Sequence, residues 1–359
     1  MQERLMRYTA FCTAVLMLTA MMVMLKFASS KTIVIAEEVT AGSGAEQEYV
    51  EKKQESILLN LQENAEYAPS IRIPLPKEVR PDDIIIENHY LEQRINVIVA
   101  GVRPDYYDTK RIEGEIGKIQ GAACYEGENG VVLSFRMNGL YEHKYLLEEN
   151  ALYLEFQPPH EVYGKIIVLD AGHGGRDSGV QAHGLTEKEI TLGVVEGVRK
   201  RLEDSDVRVY CTRQQDTGIS LEQRAAFINE LRPDMVISVH MNASEEQKVY
   251  GTEVWYHAGY VIPVFGNVEL ADTLERSVVT TADGKALGLR DIGAEEVLAD
   301  TEEAVFLSAL RVPAAVLEAG YLTNGRESSL LSYPAYQDRI AEGICEAVEE
   351  AYRQMERHG

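Results

Sequence analysis

The pattern of apolar and polar positions changes character several times along this chain, and each change predicts a different kind of structure. Between Tyr8 and Leu25 there is no charge at all (YTAFCTAVLMLTAMMVML), with Arg4 and Arg7 before the run and Lys26 closing it. That stretch is long for the apolar part of a signal peptide and at the short end for a membrane-spanning helix. Basic residues ahead of it hold the N-terminus in the cytoplasm and direct the remainder outward. Residues 1–30 are therefore expected to be a signal peptide, with Ala28-Ser29-Ser30 available for cleavage, or a signal-anchor transmembrane helix. From 31 to 67 the chain turns polar and acid-rich and reads as a linker, with some helix near Ile57 to Leu61.

Over residues 68–160 the period becomes two. Ile95, Val97 and Val99 alternate with polar neighbours, as do Leu152, Leu154 and Phe156. Asn129-Gly130 precedes VVLSFRM and predicts a hairpin, because both residues accept positive φ; Glu149-Asn150 is a weaker turn signal. A small all-β, sandwich-like module is expected here, for binding or spacing rather than chemistry.

At Lys165 short apolar runs begin to alternate with helical patterns. IIVL is followed by a helix near Glu187 to Leu202, then VRVYC, a helix near Leu221 to Glu230, MVISV, EVWY, a helix near Val268 to Val279, and AAVL. The last helix carries Ile340, Ile344, Val348 and Tyr352 at four-residue spacing. Alternating β and α units with nearly continuous apolar strands predict an α/β fold over 165–356, an open sheet covered by helices on both faces. No long helical insertion between Val268 and Glu318 stands ready to cover a site.

Composition narrows the partners. The 359 residues allow about two domains. A formal net charge of -23 argues against nucleic acid and against nonspecific adhesion to an anionic polymer, so any polymer must be recognised in a cleft. Cys12, Cys124, Cys211 and Cys345 are scattered without a CxxC pair, which disfavours both a disulfide framework and a thiolate metal site.

Candidate chemistry collects where the apolar strands end, the edge of an open α/β sheet at which ligands bind. His173 follows IIVLDAG in a glycine loop, His240 follows MVISV, and Glu318 follows AAVL. Glu187 opens the helix after the His173 loop, where Thr186 and Glu189 read as a capping box. A glutamate in a first helical turn ordinarily serves the helix dipole, but this one can fold back beside the His173 imidazole. Two imidazoles and one carboxylate suit Zn²⁺ with a position left for water. Glu318, costly to bury unless used, could act there as a general base.

These segments together resemble a family. DAGHGG, TEKEITL, TRQQD with LEQR, ISVHMNA, GTEVWY and LEAGYLTN are similar, in order, to the zinc-dependent N-acetylmuramoyl-L-alanine amidases of family 3, over about residues 165–353. The resemblance implies peptidoglycan as substrate, His173, Glu187 and His240 as zinc ligands, and Glu318 as the catalytic glutamate. It implies cleavage of the amide joining N-acetylmuramic acid to L-alanine of the stem peptide. Arg213, Asp216 and Arg224 also match motif positions but read as a structural ion-pair network, and Asn242 as either a site or a turn residue. His183 and His257 match no ligand position. The β-rich module weakly resembles the AMIN-type targeting domains found before some such amidases. An exported protein follows, anchored to the membrane or free in the envelope. A zinc peptidase acting on wall peptides and an inactive wall-binding or activator relative are the competing readings.

Overall fold

In the computed structural model the described residues are 31–32, 57–59, 70–108, 110, 112–113, 117–148, 150–258, 265–280, 291–297 and 301–358. The apolar segment expected to cross or enter the membrane lies outside them. Among the described residues no helix is long and apolar enough to cross a membrane. The chain divides into two compact units, with the boundary between Pro158 and Pro159.

The described part of the first unit is built of β-strands, with short 3-10 turns at Pro81–Asp83 and Pro104–Tyr107. Its strands are β1 (Lys31–Thr32), β2 (Ile57–Leu59), β3 (Ser70–Pro74), β4 (Ile84–His89), β5 (Arg94–Ala100), β6 (Ile112–Glu113), β7 (Ile119–Glu126), β8 (Gly130–Met137), β9 (Glu142–Glu148) and β10 (Ala151–Gln157). They form two five-stranded sheets, ordered β1-β7-β8-β5-β4 and β6-β2-β3-β10-β9. Alternation works as expected: Ile95, Val97 and Val99 from one sheet meet Leu152, Leu154 and Phe156 from the other in a single buried cluster.

Two local expectations need correction. The supposed linker supplies strands to this unit, with β1 pairing with β7 and β2 pairing with β3 and β6. Ile57 is buried in the sandwich core, and three apolar residues in an acidic setting are too few to show a period of two. The β7–β8 hairpin exists, yet neither Asn129 nor Gly130 has positive φ; Gly127 N–H bonds Gly130 O instead. It is Asn150, in the turn before β10, that takes the left-handed conformation, at φ 58°.

The second unit is α/β. After α1 (Pro159–Val162) come β11 (Lys165–Ala171), β12 (Gln181–Ala182), β13 (Leu185–Thr186), α2 (Glu187–Arg201), β14 (Val207–Cys211), α3 (Leu221–Leu231), β15 (Met235–Asn242) and β16 (Thr252–Tyr256). α4 (Asn267–Val279), β17 (Asp291–Glu296), α5 (Glu302–Ala309), β18 (Ala314–Tyr321), α6 (Gly325–Leu331) and α7 (Pro334–His358) complete it. The main sheet has the order β14-β11-β15-β18-β16-β17. Its first four strands run parallel, β16 runs antiparallel to β18, and β17 parallel to β16, so the sheet is mixed.

Helices α2, α4 and α7 cover one face. Ile340, Ile344 and Val348, the stripe read from the sequence, are fully buried there against Val194, Val198 and Leu274. Each such side chain contributes about 1.5–3 kcal/mol on burial. Helices α3 and α5 lie on the opposite face. β17, α5 and α6 had no clear signal in the chain, being short and lacking a strong period.

Candidate metal and catalytic site

β11 ends in a sharp loop that presents His173. The histidine itself sits at φ 60°, a left-handed conformation costly for a residue with a side chain and kept where surroundings enforce it. The enforcement is visible. Arg224 Nη2 donates to His173 O at 2.6 Å, and its Nη1 donates to Ala171 O at 2.8 Å. Arg213 adds bonds to Ala171 O at 2.9 Å and Gly172 O at 2.8 Å. Lys188 reaches Gly175 O at 2.9 Å while paired with Asp216 at 2.6 Å. Asp216 and Arg224 form the ion pairs expected of them, with Lys188 and Asp170, whereas Arg213 spends its donors on backbone carbonyls and the Thr191 hydroxyl; what all three hold is the His173 loop.

At the centre of that network Asp170 is buried, ion-paired with Arg224 and bonded by Ser238 and Thr212 hydroxyls at 2.6 Å each. Burial opposes its ionisation, but Arg224 and the two hydroxyls outweigh this and hold its pKa below the usual carboxylate range.

Glu187 is the first residue of α2 and only 2% exposed. The Thr186–Glu189 capping box does not form: Thr186 starts the helix without capping it through its side chain, and its Oγ1 has no partner. The reason is local, since Glu187 N–H and Lys188 N–H donate to Val180 O and Ser178 O, so the 178–180 loop caps the helix. That same loop fixes the carboxylate. Val180 N–H donates to Glu187 Oε2 at 2.8 Å, and Met241 N–H to Oε1 at 2.9 Å.

Both imidazoles meet Glu187 Oε1, His173 through Nε2 at 3.1 Å and His240 through Nδ1 at 3.0 Å. The ring centroids are 4.9 Å apart at 74°. Nδ1 of His173 faces Asp177 Oδ2 at 2.7 Å, which orients the ring and leaves Nε2 toward Glu187. Asp177 was missed in the sequence, although an acid four residues after a glycine-loop histidine is a readable cue. Close packing makes two glycines obligatory: a Cβ on Gly172 would strike the His240 ring at 2.4 Å, and one on Gly179 would strike Glu187 Oε2 at 2.4 Å.

The charges respond to this crowding. Burial lowers the His173 pKa, but hydrogen bonds and charge from Glu187, then Asp177, raise it to about 9 overall. Burial would raise that of Glu187, and the two histidines push it far below the usual range instead. His173, Glu187 and His240 offer three ligand atoms within 4.8 Å of one another. Two nitrogens and one carboxylate oxygen fit Zn²⁺, and a buried carboxylate gripped by two imidazoles is the donor set such an ion needs.

Neither His240 nor Glu318 is past the end of its strand: β15 runs to Asn242 and β18 to Tyr321, and the two residues pair across the β15–β18 ladder. The apolar run in the sequence stops at Glu318, but the ladder resumes at Tyr321, opposite Asn242, beyond a register shift at Ala319 and Gly320. Glu318 is 3% exposed and its Oε2 has no hydrogen-bond partner. Burial first, then the charges of Glu187, Glu303 and Glu253, push its pKa well above the ordinary carboxyl value.

Glu303, on α5, gave no signal in the acid-rich sequence around it, yet it forms a second overlapping group with His240 and Glu318. α5 thus walls a cleft of about 250 Å³ over the site, where Phe306, Ile219, Leu221 and Val316 supply an apolar side. A short helix does cover part of the region in which no long insertion was read. His183 bonds Thr323 O and His257 lies just past β16; among the described residues neither joins a ligand group.

The family described as N-acetylmuramoyl-L-alanine amidase matches residues 167–350. The germination-specific N-acetylmuramoyl-L-alanine amidase of Bacillus subtilis (strain 168) is 30% identical over 223 residues, 58% of this chain and 88% of that relative. The endolysin of Bacillus phage SPP1 is 31% identical over 200 residues, covering 54% of this chain and 69% of its own length. A crystal structure of N-acetylmuramoyl-L-alanine amidase from Clostridium difficile 630 shares 30% identity, with a TM-score of 0.47 over 53% of this chain and 97% of that one. The chain belongs to the N-acetylmuramoyl-L-alanine amidase family, the family-3 amidases that act on peptidoglycan.

Proposed function

We propose that this amidase works as a zinc hydrolase, with His173, Glu187 and His240 holding the ion and Glu318 moving the proton. The observation that carries the reading is the convergence of both imidazoles on one Glu187 oxygen, beside a buried Glu318 whose Oε2 is unpartnered. Bound there, zinc would supply a Lewis acid that polarises the scissile carbonyl and acidifies water.

The substrate bond is the amide between the lactyl group of N-acetylmuramic acid and L-alanine of the stem peptide. Asp177 keeps His173 in one tautomer, and the Arg213 and Arg224 braces keep the loop from moving during turnover. Glu318 accepts a proton from the attacking water and delivers it to the alanine nitrogen as the C–N bond breaks. On this reading the products are a glycan with free lactyl carboxylate and an intact stem peptide with a free amine.

Two wider elements of the reading rest on the sequence. The charge-free run from Tyr8 to Leu25 behind Arg4 and Arg7 exports the chain and, uncleaved, anchors it facing the wall. The β-rich unit, of AMIN-like character, targets or spaces the enzyme. The test uses the full chain on purified sacculi, with mass spectrometry of the released products and sedimentation of the enzyme. Intact stem peptides with N-terminal L-alanine, lost at least about 100-fold in Glu318→Ala while bound zinc stays at the wild-type level, are expected. Trimmed peptides would make it a peptidase, and an active Glu318→Ala would remove the proton-transfer role.

A further inference from the structure

β16 carries a second carboxylate to the site's rim. Thr252 and Val254 turn into the fold, whereas Glu253 and Trp255 lie on the face of the sheet shared by Val316 and Glu318. Glu253 stands directly opposite Glu318 in the antiparallel β16–β18 register. Two charged carboxylates in that relation would repel, and Glu253 is one of the charges that push the Glu318 pKa upward.

The surroundings divide the two acids sharply. Glu253 collects three donors: the Tyr321 hydroxyl on Oε1, Trp255 Nε1 on Oε2 at 3.1 Å and Asn242 Nδ2 at 3.4 Å. Glu318 Oε2 collects none. The three donors come from three adjacent strands. Asn242 ends β15, just past the bulge that follows His240, and Tyr321 ends β18, three residues past Glu318. Further bonds tie the same corner: Leu322 N–H donates to Asn242 O at 2.9 Å, and Tyr321 N–H to Glu327 Oε2 at 2.8 Å.

We propose that Glu253 is a positioning residue for amide cleavage: by binding Tyr321, Trp255 and Asn242 it locks the β15–β18 corner that sets Glu318 against His240. This rests on the reading of Glu318 as the proton-transfer group. An acceptor-only carboxylate can take all three donors at once. An amide at the same place brings an N–H₂ that cannot accept, so the three donors can no longer all be satisfied and the corner loosens. An aspartate keeps the charge but falls a methylene short of the three donors.

The experiment measures kcat, KM, bound zinc and melting temperature of the full chain for Glu253→Gln, Glu253→Asp, Tyr321→Phe and the Glu253→Gln/Tyr321→Phe double variant. Expected are kcat losses of about 10- to 100-fold in both Glu253 variants, the range for groups that orient a metal site from behind, with KM within about twofold and zinc unchanged. Tyr321→Phe removes only a hydroxyl and is expected to lose part of that kcat. The double variant should be no slower than Glu253→Gln, because both changes break one contact. Wild-type kcat in Glu253→Gln, rescue by Glu253→Asp, additive losses in the double variant, or a loss that follows departed zinc would each overturn the proposal. The reading beneath it fails separately: if Glu318→Gln turns over at the wild-type rate, there is nothing for Glu253 to position and the proposal falls too.

Discussion

The two faces of the α/β sheet are built from the same three strands and solve opposite problems. Toward α2, α4 and α7, β11 presents Ile167, Leu169 and Ala171, β15 presents Met235, Ile237 and Val239, and β18 presents Ala315, Leu317 and Ala319. Every one is apolar and buried. The alternate residues begin in the same way, with Ile166, Val168, Val236, Ala314 and Val316. At the C-terminal ends of the strands they then become Asp170, Ser238, His240 and Glu318, with Asp170 beside Ser238 and His240 beside Glu318 in register. One face supplies stability by burying apolar area; the other gives some of it up to hold charges where water is scarce. A site of this kind needs both, because only a rigid apolar face can keep an awkward polar one in place.

That contrast can be broken from either side. Arg224→Ala should do the greater damage, leaving Asp170 buried without its cation and the His173 carbonyl without its brace. The expected cost is about 3–5 kcal/mol of stability, with loss of bound zinc in the fraction that remains folded, read by denaturant titration and metal analysis. Leu317→Ala on the opposite face, one residue from Glu318, should cost about 2–5 kcal/mol by leaving a cavity. Its folded fraction should retain zinc and kcat. If Leu317→Ala lost the metal while Arg224→Ala kept it, the division of labour between the faces would be wrong.

A smaller effect sharpens the same point through pH. In chelator-treated protein, His173 binds its proton more tightly when folded, at a pKa of about 9, than the ordinary 6.5 when unfolded. A raised value stabilises the fold fully below pH 6.5, and that contribution disappears as pH climbs through 9. Glu318, also pushed up, acts in the same direction. The melting temperature of the metal-free protein should therefore fall between pH 6.5 and 9, and less so in His173→Gln. A flat profile in that window would mean that Glu187 and Asp177 do not grip the ring as drawn.

Much of this was legible in the chain because the relevant signals are local. The helix from Glu187, the strand before His173, the strand that carries His240, and the apolar stripe on the last helix all follow from period and placement. What escaped had no local cause. Thr186 looked like a side-chain cap, but backbone carbonyls brought in by the 178–180 loop took the donors first. Glu318 looked like a strand exit because its carboxylate closes the apolar run AAVL, while the ladder itself depends on a partner strand some eighty residues earlier. Glu303 and Glu253 approach the site only through tertiary contacts. Ile57 joined a sandwich rather than a linker for the same reason.

The most direct test is to measure bound zinc and stem-peptide release on one sample of the full chain, before chelation, after it, and after zinc is returned. One ion per chain, activity abolished with its removal and restored with its return, and no ion retained by His173→Ala or His240→Ala are the results this account predicts. Undiminished release of stem peptide by metal-free protein would contradict it.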